Sequence, residues 1–128
     1  MNRKIIAIAA VLGAVAIVLG AFGAHGLKNL ISVESLSVFE TGVKYQMYHA
    51  LFLLFLGSTS LVSDKVKNII LKLVVAGVVF FSGSVYFLAC NVLFSFDFKK
   101  IGIITPIGGL LLIAAWVTLF LHLIKQKR

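Results

Sequence analysis

From Ile5 to Ala24 the chain reads IIAIAAVLGAVAIVLGAFGA, a run with no charged residue. At ~1.5 Å of rise per residue, such a run makes an α-helix about 30 Å long, the thickness of a bilayer's hydrocarbon core. Three more stretches have the same character: Tyr45 to Val62, Leu73 to Phe96 and Ile101 to Ile124. Backbone amides inside lipid must be paired within the chain, so only helices or a closed barrel can cross it. Long apolar runs without period-two alternation select helices. The reading is an all-α integral membrane four-helix bundle in a single domain, residues 1–128, with spans at about 5–24, 43–62, 70–94 and 105–124.

Composition agrees with that reading. Of the 128 residues, 61% are hydrophobic and only 12% charged, too few charges to cover the surface of a soluble domain of this size. The formal net charge is +8, and its placement gives an orientation. Eight of the twelve basic residues fall at the N-terminus (Arg3, Lys4), in the second loop (Lys65, Lys67, Lys72) and in the C-terminal tail (Lys125, Lys127, Arg128). The first and third loops hold Lys28, Lys44, Lys99 and Lys100. Since Lys and Arg are retained on the cytoplasmic side, both termini are expected there. The positive charge therefore reads as topology and attraction to anionic lipid; no basic face interleaved with exposed aromatics suggests nucleic acid. The first run is longer than the ~7–15 residues of a signal-peptide core, and its Ala9, Gly13, Ala16, Gly20 and Gly23 form a packing face, so it is expected to be retained.

Helix contacts are expected where small residues let backbones approach, since lipid gives helices no hydrophobic reason to associate. The candidates are Gly13, Gly20, Gly23, Gly42, Gly57, Gly77, Gly83, Ser84, Gly108 and Gly109. On the second helix Gly42, Gln46, His49, Ala50, Leu53 and Gly57 share a face. Thr105-Pro106 reads as an N-cap and first helical residue opening the fourth helix. The first loop is semi-apolar, and Ser32 can cap a short interfacial helix over 33–40.

Four motifs in order, Gly20-Ala21-Phe22-Gly23-Ala24-His25-Gly26-Leu27, Thr41-Gly42-Val43-Lys44-Tyr45-Gln46-Met47-Tyr48-His49-Ala50-Leu51, Phe80-Phe81-Ser82-Gly83-Ser84-Val85-Tyr86 and Ile104-Thr105-Pro106-Ile107-Gly108-Gly109, resemble the small four-helix membrane proteins catalogued as domain of unknown function 423. The resemblance spans nearly the whole chain. It implies a multi-pass protein of the bacterial inner membrane and no settled biochemical activity. Ala115 stands before Trp116 where that family's last helix is expected to carry Gly-Trp, a difference that concerns packing.

Threading this topology predicts an outward-facing polar layer of His25, Lys44, Tyr45, Gln46, Tyr48, His49, Asn91 and Thr105. Its plain interpretation is interfacial: Tyr, Lys and His anchor helix ends, while Gln46 and Asn91 bond across helices. The residues that could ligate a metal or haem iron are His25, His49 and Cys90, but no second histidine pair or Cys-x-x-Cys accompanies them, so neither metal nor cofactor is expected. His122, beside Lys125, reads as a headgroup contact. Cys90 is the only cysteine, which excludes an intramolecular disulfide. No catalytic residue emerges, since neither Ser82 nor Ser84 has a His at helical spacing. The acids Glu34, Glu40, Asp64 and Asp97 all sit in loops or at boundaries, where they cannot serve proton-coupled export through an intramembrane carboxylate. The expected function is a non-enzymatic scaffold, assembly or lipid-interacting role, and the alternative is a small oligomeric channel or facilitator for an ion or small solute. Expected partners are membrane lipids, a second copy or other membrane proteins.

Overall fold

The structure, a computed structural model, describes residues 2–126; Lys127 and Arg128, counted above in the tail, lie outside the described residues. It is all-helical. Helix α1 runs Arg3–His25, α2 Val33–Ser58, α3 Asp64–Val78, α4 Ser84–Ala89 and α5 Ile104–Lys125. A π-helical turn, Val79–Gly83, joins α3 to α4, so that Asp64–Ala89 forms one rod. Four rods result: Asn2, Gln126 and the α2–α3 turn lie together at one end of the molecule, here the terminal end, and the other two connections at the far end.

Each helix start has a local cause. The Asn2 side chain accepts from the Ile5 N–H at 3.2 Å to begin α1. Ser32 accepts from the Ser35 N–H at 3.1 Å to begin α2, and Ser63 from the Val66 N–H at 3.3 Å to begin α3. Glu34 and Asp64 in the first turns of α2 and α3 complement the positive end of the helix dipole. Ser32 opens one continuous helix rather than a separate interfacial one, and 33–40 is the first part of α2. Helix α5 begins at Ile104 without a side-chain cap, which corrects the expectation for Thr105. Thr105 is its second residue and Pro106 its third, still within the turn whose N–H groups have no intrahelical acceptor. The third rod ends at Ala89, before the expected boundary at residue 94, and a short 3-10 turn follows at Asn91–Leu93.

The rods pack antiparallel in two registers. Between α1 and α2, Gly23 meets Phe39, Gly20 meets Val43, Gly13 meets Ala50 and Gly57 meets Ile6. Between the third rod and α5, Gly77 meets Leu112 and Gly108 meets the backbone of Phe80 and Phe81. A β-carbon at Gly77 would lie 2.6 Å from Leu112, one at Gly42 2.7 Å from Tyr86 and one at Gly57 2.7 Å from Ile6; at Gly108 it would overlap the Phe81 amide nitrogen itself. These four are the tight crossings, and Gly23, 3.1 Å from Phe39, is nearly as close. Gly13, Gly20 and Gly109 have ordinary contact distance to spare. A β-carbon at Gly83, in the π turn, would meet nothing within 4 Å, so no close approach there demands a glycine.

A core around Ile5, Leu53, Leu56, Ile70, Val74 and Ala115 fills the terminal end, and a smaller one around Leu27, Phe39, Ala89 and Cys90 the far end. The outside is apolar as well: Val11, Ile17 and Val18 on α1 and Leu110, Ile113 and Phe120 on α5 are exposed. Such a surface needs a covering other than water. Arg3–Asn29, Asp64–Ala89 and Phe98–Lys125 are long and apolar enough to cross a membrane. Helix α2 is not among them, because Lys44, Tyr45, Gln46, Tyr48 and His49 lower the hydropathy of its middle.

Candidate functional site

The polar face of α2 sits deeper than its sequence neighbours suggest. Because α2 begins at Val33, Gln46 and His49 lie halfway along it, and the α1–α2 register sets them beside the middle of α1. Both are buried. An unpaired amide or imidazole there is costly to desolvate, and each side chain is fully engaged. The Gln46 amide donates to the Leu12 carbonyl on α1 at 2.9 Å, and its oxygen accepts from the Tyr86 hydroxyl on α4 at 2.7 Å. A single glutamine thus joins three rods.

His49 joins α2 to α5. Its Nδ1 lies 2.7 Å from the Tyr45 carbonyl, one turn back, and its Nε2 accepts from the Trp116 indole N–H at 3.0 Å. Acceptance at Nε2 puts the proton on Nδ1, which is the neutral tautomer. Trp116 in turn stacks on Phe52 at 4.2 Å and 10°. Tyr86, the partner of the Gln46 oxygen, is on the third rod, whereas the partner of His49 is on α5. Nothing in the sequence near Trp116 pointed to this pair, since only the packing of the rods brings α5 across from His49.

Two more bonds cross between rods. Ser82, fully buried in the π turn, donates to the Gly42 carbonyl at 2.8 Å, and the Ser84 and Thr105 hydroxyls lie 2.6 Å apart. Thr105 therefore ties α4 to α5. Beside His49 a cleft of about 270 Å³ opens between α2 and α5, lined by Tyr45, His49, Phe81, Gly109, Ile113 and Trp116.

The remaining members of the expected polar layer are dispersed. His25 is exposed at the far end of α1, whereas His49 lies about 17 Å deeper, eleven residues along the register. Cys90 belongs to the far-end core. These three do not converge, and no group of three His, Cys, Asp or Glu side chains with metal-binding spacing occurs among the described residues. Lys44, Tyr45 and Tyr48 are on the exposed side of α2. Asn91 makes no bond across rods. It pins the third loop, donating to the Asp97 carboxylate at 3.1 Å and accepting from the Phe98 N–H at 2.8 Å. Hydrogen bonds from the Lys99 backbone and then from Asn91 hold the Asp97 carboxyl below the usual carboxylate range.

The terminal end holds a second polar group that the sequence did not announce. Lys67, assigned above to a loop, is 2% exposed and donates from Nζ to the Thr59 carbonyl at 2.6 Å, so its cation closes the negative end of α2. The Asn2 N–H donates to the Gly57 carbonyl at 2.8 Å. His122 Nε2 accepts from the Ser63 N–H at 3.3 Å and stands 2.9 Å from the Gln126 amide, which also donates to the Leu61 carbonyl at 2.5 Å. His122 is thus bonded to the α2–α3 turn.

Comparison with known proteins gives a consistent result. Residues 19–109 match the family described as "Protein of unknown function (DUF423)". UPF0382 membrane protein SSP2132 of Staphylococcus saprophyticus is 46% identical over 83% of this chain and 84% of its own. A UPF0382 membrane protein of Haemophilus influenzae is 34% identical over 99% of this chain and 98% of its own. YwdK of Bacillus subtilis, also named a UPF0382 membrane protein, is 39% identical over 90% and 94%. No solved structure matches.

Proposed function

Because the chain belongs to the DUF423 family, an uncharacterised family whose relatives are named as membrane proteins, we propose that it is a multi-pass protein of the bacterial inner membrane, a four-helix bundle with both termini cytoplasmic, acting without enzymatic chemistry as an intramembrane scaffold that works through lipid and helix contacts. The observation that carries this reading is the closure of the polar residues between the rods on one another. Gln46 bonds α1 and α4, His49 bonds Trp116, Ser82 bonds Gly42 and Ser84 bonds Thr105. A transport path needs polar groups free to exchange partners with a solute. A scaffold needs them bonded to each other. The same closure argues against an acid–base or nucleophilic role for His49, both of whose ring nitrogens are engaged.

Helix α2 is proposed to cross the bilayer with the others, its polar middle shielded by α1, α4 and α5. A lone α2 would leave Gln46 and His49 in hydrocarbon, so insertion and packing are coupled at this helix. The test is the protein reconstituted in liposomes, with its mass in native-like lipid measured alongside ion and small-solute flux. The scaffold reading expects a tight vesicle at every protein density. A ring-like oligomer with flux that scales with protein would overturn it in favour of a channel or facilitator.

A further inference from the structure

We propose that the cleft between α2 and α5 is a binding site for one hydrocarbon chain of a bilayer phospholipid. The proposal rests on the preceding reading, which sets the rods across the bilayer. In that setting the cleft lies beside His49, at the depth of chain ends and far from headgroups. It opens sideways, through the exposed edges of Tyr45, Ile113 and Trp116. At about 270 Å³ it falls just under the ~300–1,000 Å³ usual for pockets that enclose a whole small ligand. Part of a chain fits that scale better than an entire lipid.

Its walls are fixed before any ligand arrives. Tyr45 packs on Phe81 at a ring separation of 5.0 Å, and Trp116 is held by its stack on Phe52 and its bond to His49. The floor is Gly109. A β-carbon there would meet nothing nearer than the Phe81 ring at 3.8 Å, so helix packing does not demand glycine at this position, in contrast to Gly108 next to it. The bare floor is space left for an occupant.

Chemistry selects the occupant. A ring bearing carbonyls at both ends, such as a quinone, needs two hydrogen-bond donors, but the indole N–H is committed to His49 and the imidazole N–H to the Tyr45 carbonyl, which leaves only the Tyr45 hydroxyl. A hydrocarbon chain needs none. It gains dispersion contacts from walls that would otherwise face a void, the interaction by which apolar groups associate inside a membrane.

Trp116 is the only tryptophan in the chain, so its fluorescence reports directly on this wall. The full-length protein is reconstituted in phosphatidylcholine whose chains carry bromine either near the headgroup or near the chain end, and quenching is measured for wild type, Gly109→Leu and Ile113→Phe. The first variant fills the floor and the second narrows the mouth from an exposed position that folding does not depend on. Val18→Phe, exposed on α1, which does not line the cleft, is the control. Chain-end bromine is expected to quench wild type and Val18→Phe most strongly, and both cleft variants are expected to lose most of that quenching while melting with wild type. Equal quenching in all four proteins would overturn the proposal. Displacement of the brominated chain by a short-chain benzoquinone would overturn it in favour of a ring ligand. Strongest quenching by bromine near the headgroup would instead remove the mid-bilayer placement on which it rests, so the two failures are told apart.

Discussion

Gln46 shows how much one polar side chain can hold together inside an apolar protein. Its amide serves α1 and its oxygen serves α4. Gln46→Leu removes both bonds and leaves the Tyr86 hydroxyl without its acceptor; interhelical bonds of this kind average ~0.6 kcal/mol and reach ~1.7 kcal/mol. Unfolding in mild detergent should therefore show a loss of about 1 kcal/mol, and Tyr86→Phe in the Gln46→Leu background should cost little more, since the partner is already gone. Additive losses in that double variant would mean that the two side chains do not interact. At the far end, Asp97 caps Phe98–Ile101 by accepting from the Lys99 N–H. Its folded carboxyl titrates below the usual range, so its contribution is complete above the ordinary carboxylate value and is lost as pH falls through the depressed one. Amide-exchange protection at Lys99 should fall over that acid window and be unaffected by pH in Asp97→Asn; protection that persists through it would contradict the assignment. That Gln46 and His49 point inward was legible in the sequence, because they share a helical face with Gly42, Ala50 and Gly57. Their depth was not, since it depends on where α2 starts.

At the scale of elements, the four apolar runs announced four rods because lipid-length hydrophobicity is a local property of sequence. What sequence could not show was decided by contacts between rods. The π turn at Val79–Gly83 occurs where Gly108 of α5 presses on the backbone of Phe80 and Phe81, a contact that the Ser82-Gly83 pair alone does not announce. Thr105 looked like a cap from its Pro neighbour, yet α5 starts one residue earlier and the hydroxyl bonds Ser84. Lys67 looked like a loop charge, and the fold turns it back under α2. The adjacent glycines give a sharp comparison. Gly108→Ala should force α5 off the third rod and cost ~1–3 kcal/mol, the range for overpacking a tight contact, whereas Gly109→Ala should leave stability within about 0.5 kcal/mol. Thermal unfolding of the two variants in one detergent decides it. Equal melting temperatures would mean that the Gly108 crossing is looser than described.

For the whole molecule, the account depends on α2, the rod with the least membrane-like composition. If its polar middle is shielded by bonds to α1, α4 and α5, α2 crosses like its neighbours and the chain passes the bilayer four times. If it lies flat or stays in water, the network of Gln46 and His49 cannot form. The positions that separate these cases flank α2: Asn29 in the far-end turn and Ser60 in the α2–α3 turn, both exposed. Cys90→Ala removes the only native thiol, leaving single cysteines at Asn29→Cys, Ser60→Cys and Lys127→Cys to report alone. The measurement is labelling of each in intact cells with a membrane-impermeant maleimide. The account predicts that Asn29→Cys is labelled while Ser60→Cys and Lys127→Cys react only after the cells are opened. Ser60→Cys labelling in intact cells together with Asn29→Cys would show that α2 does not cross, and would contradict it.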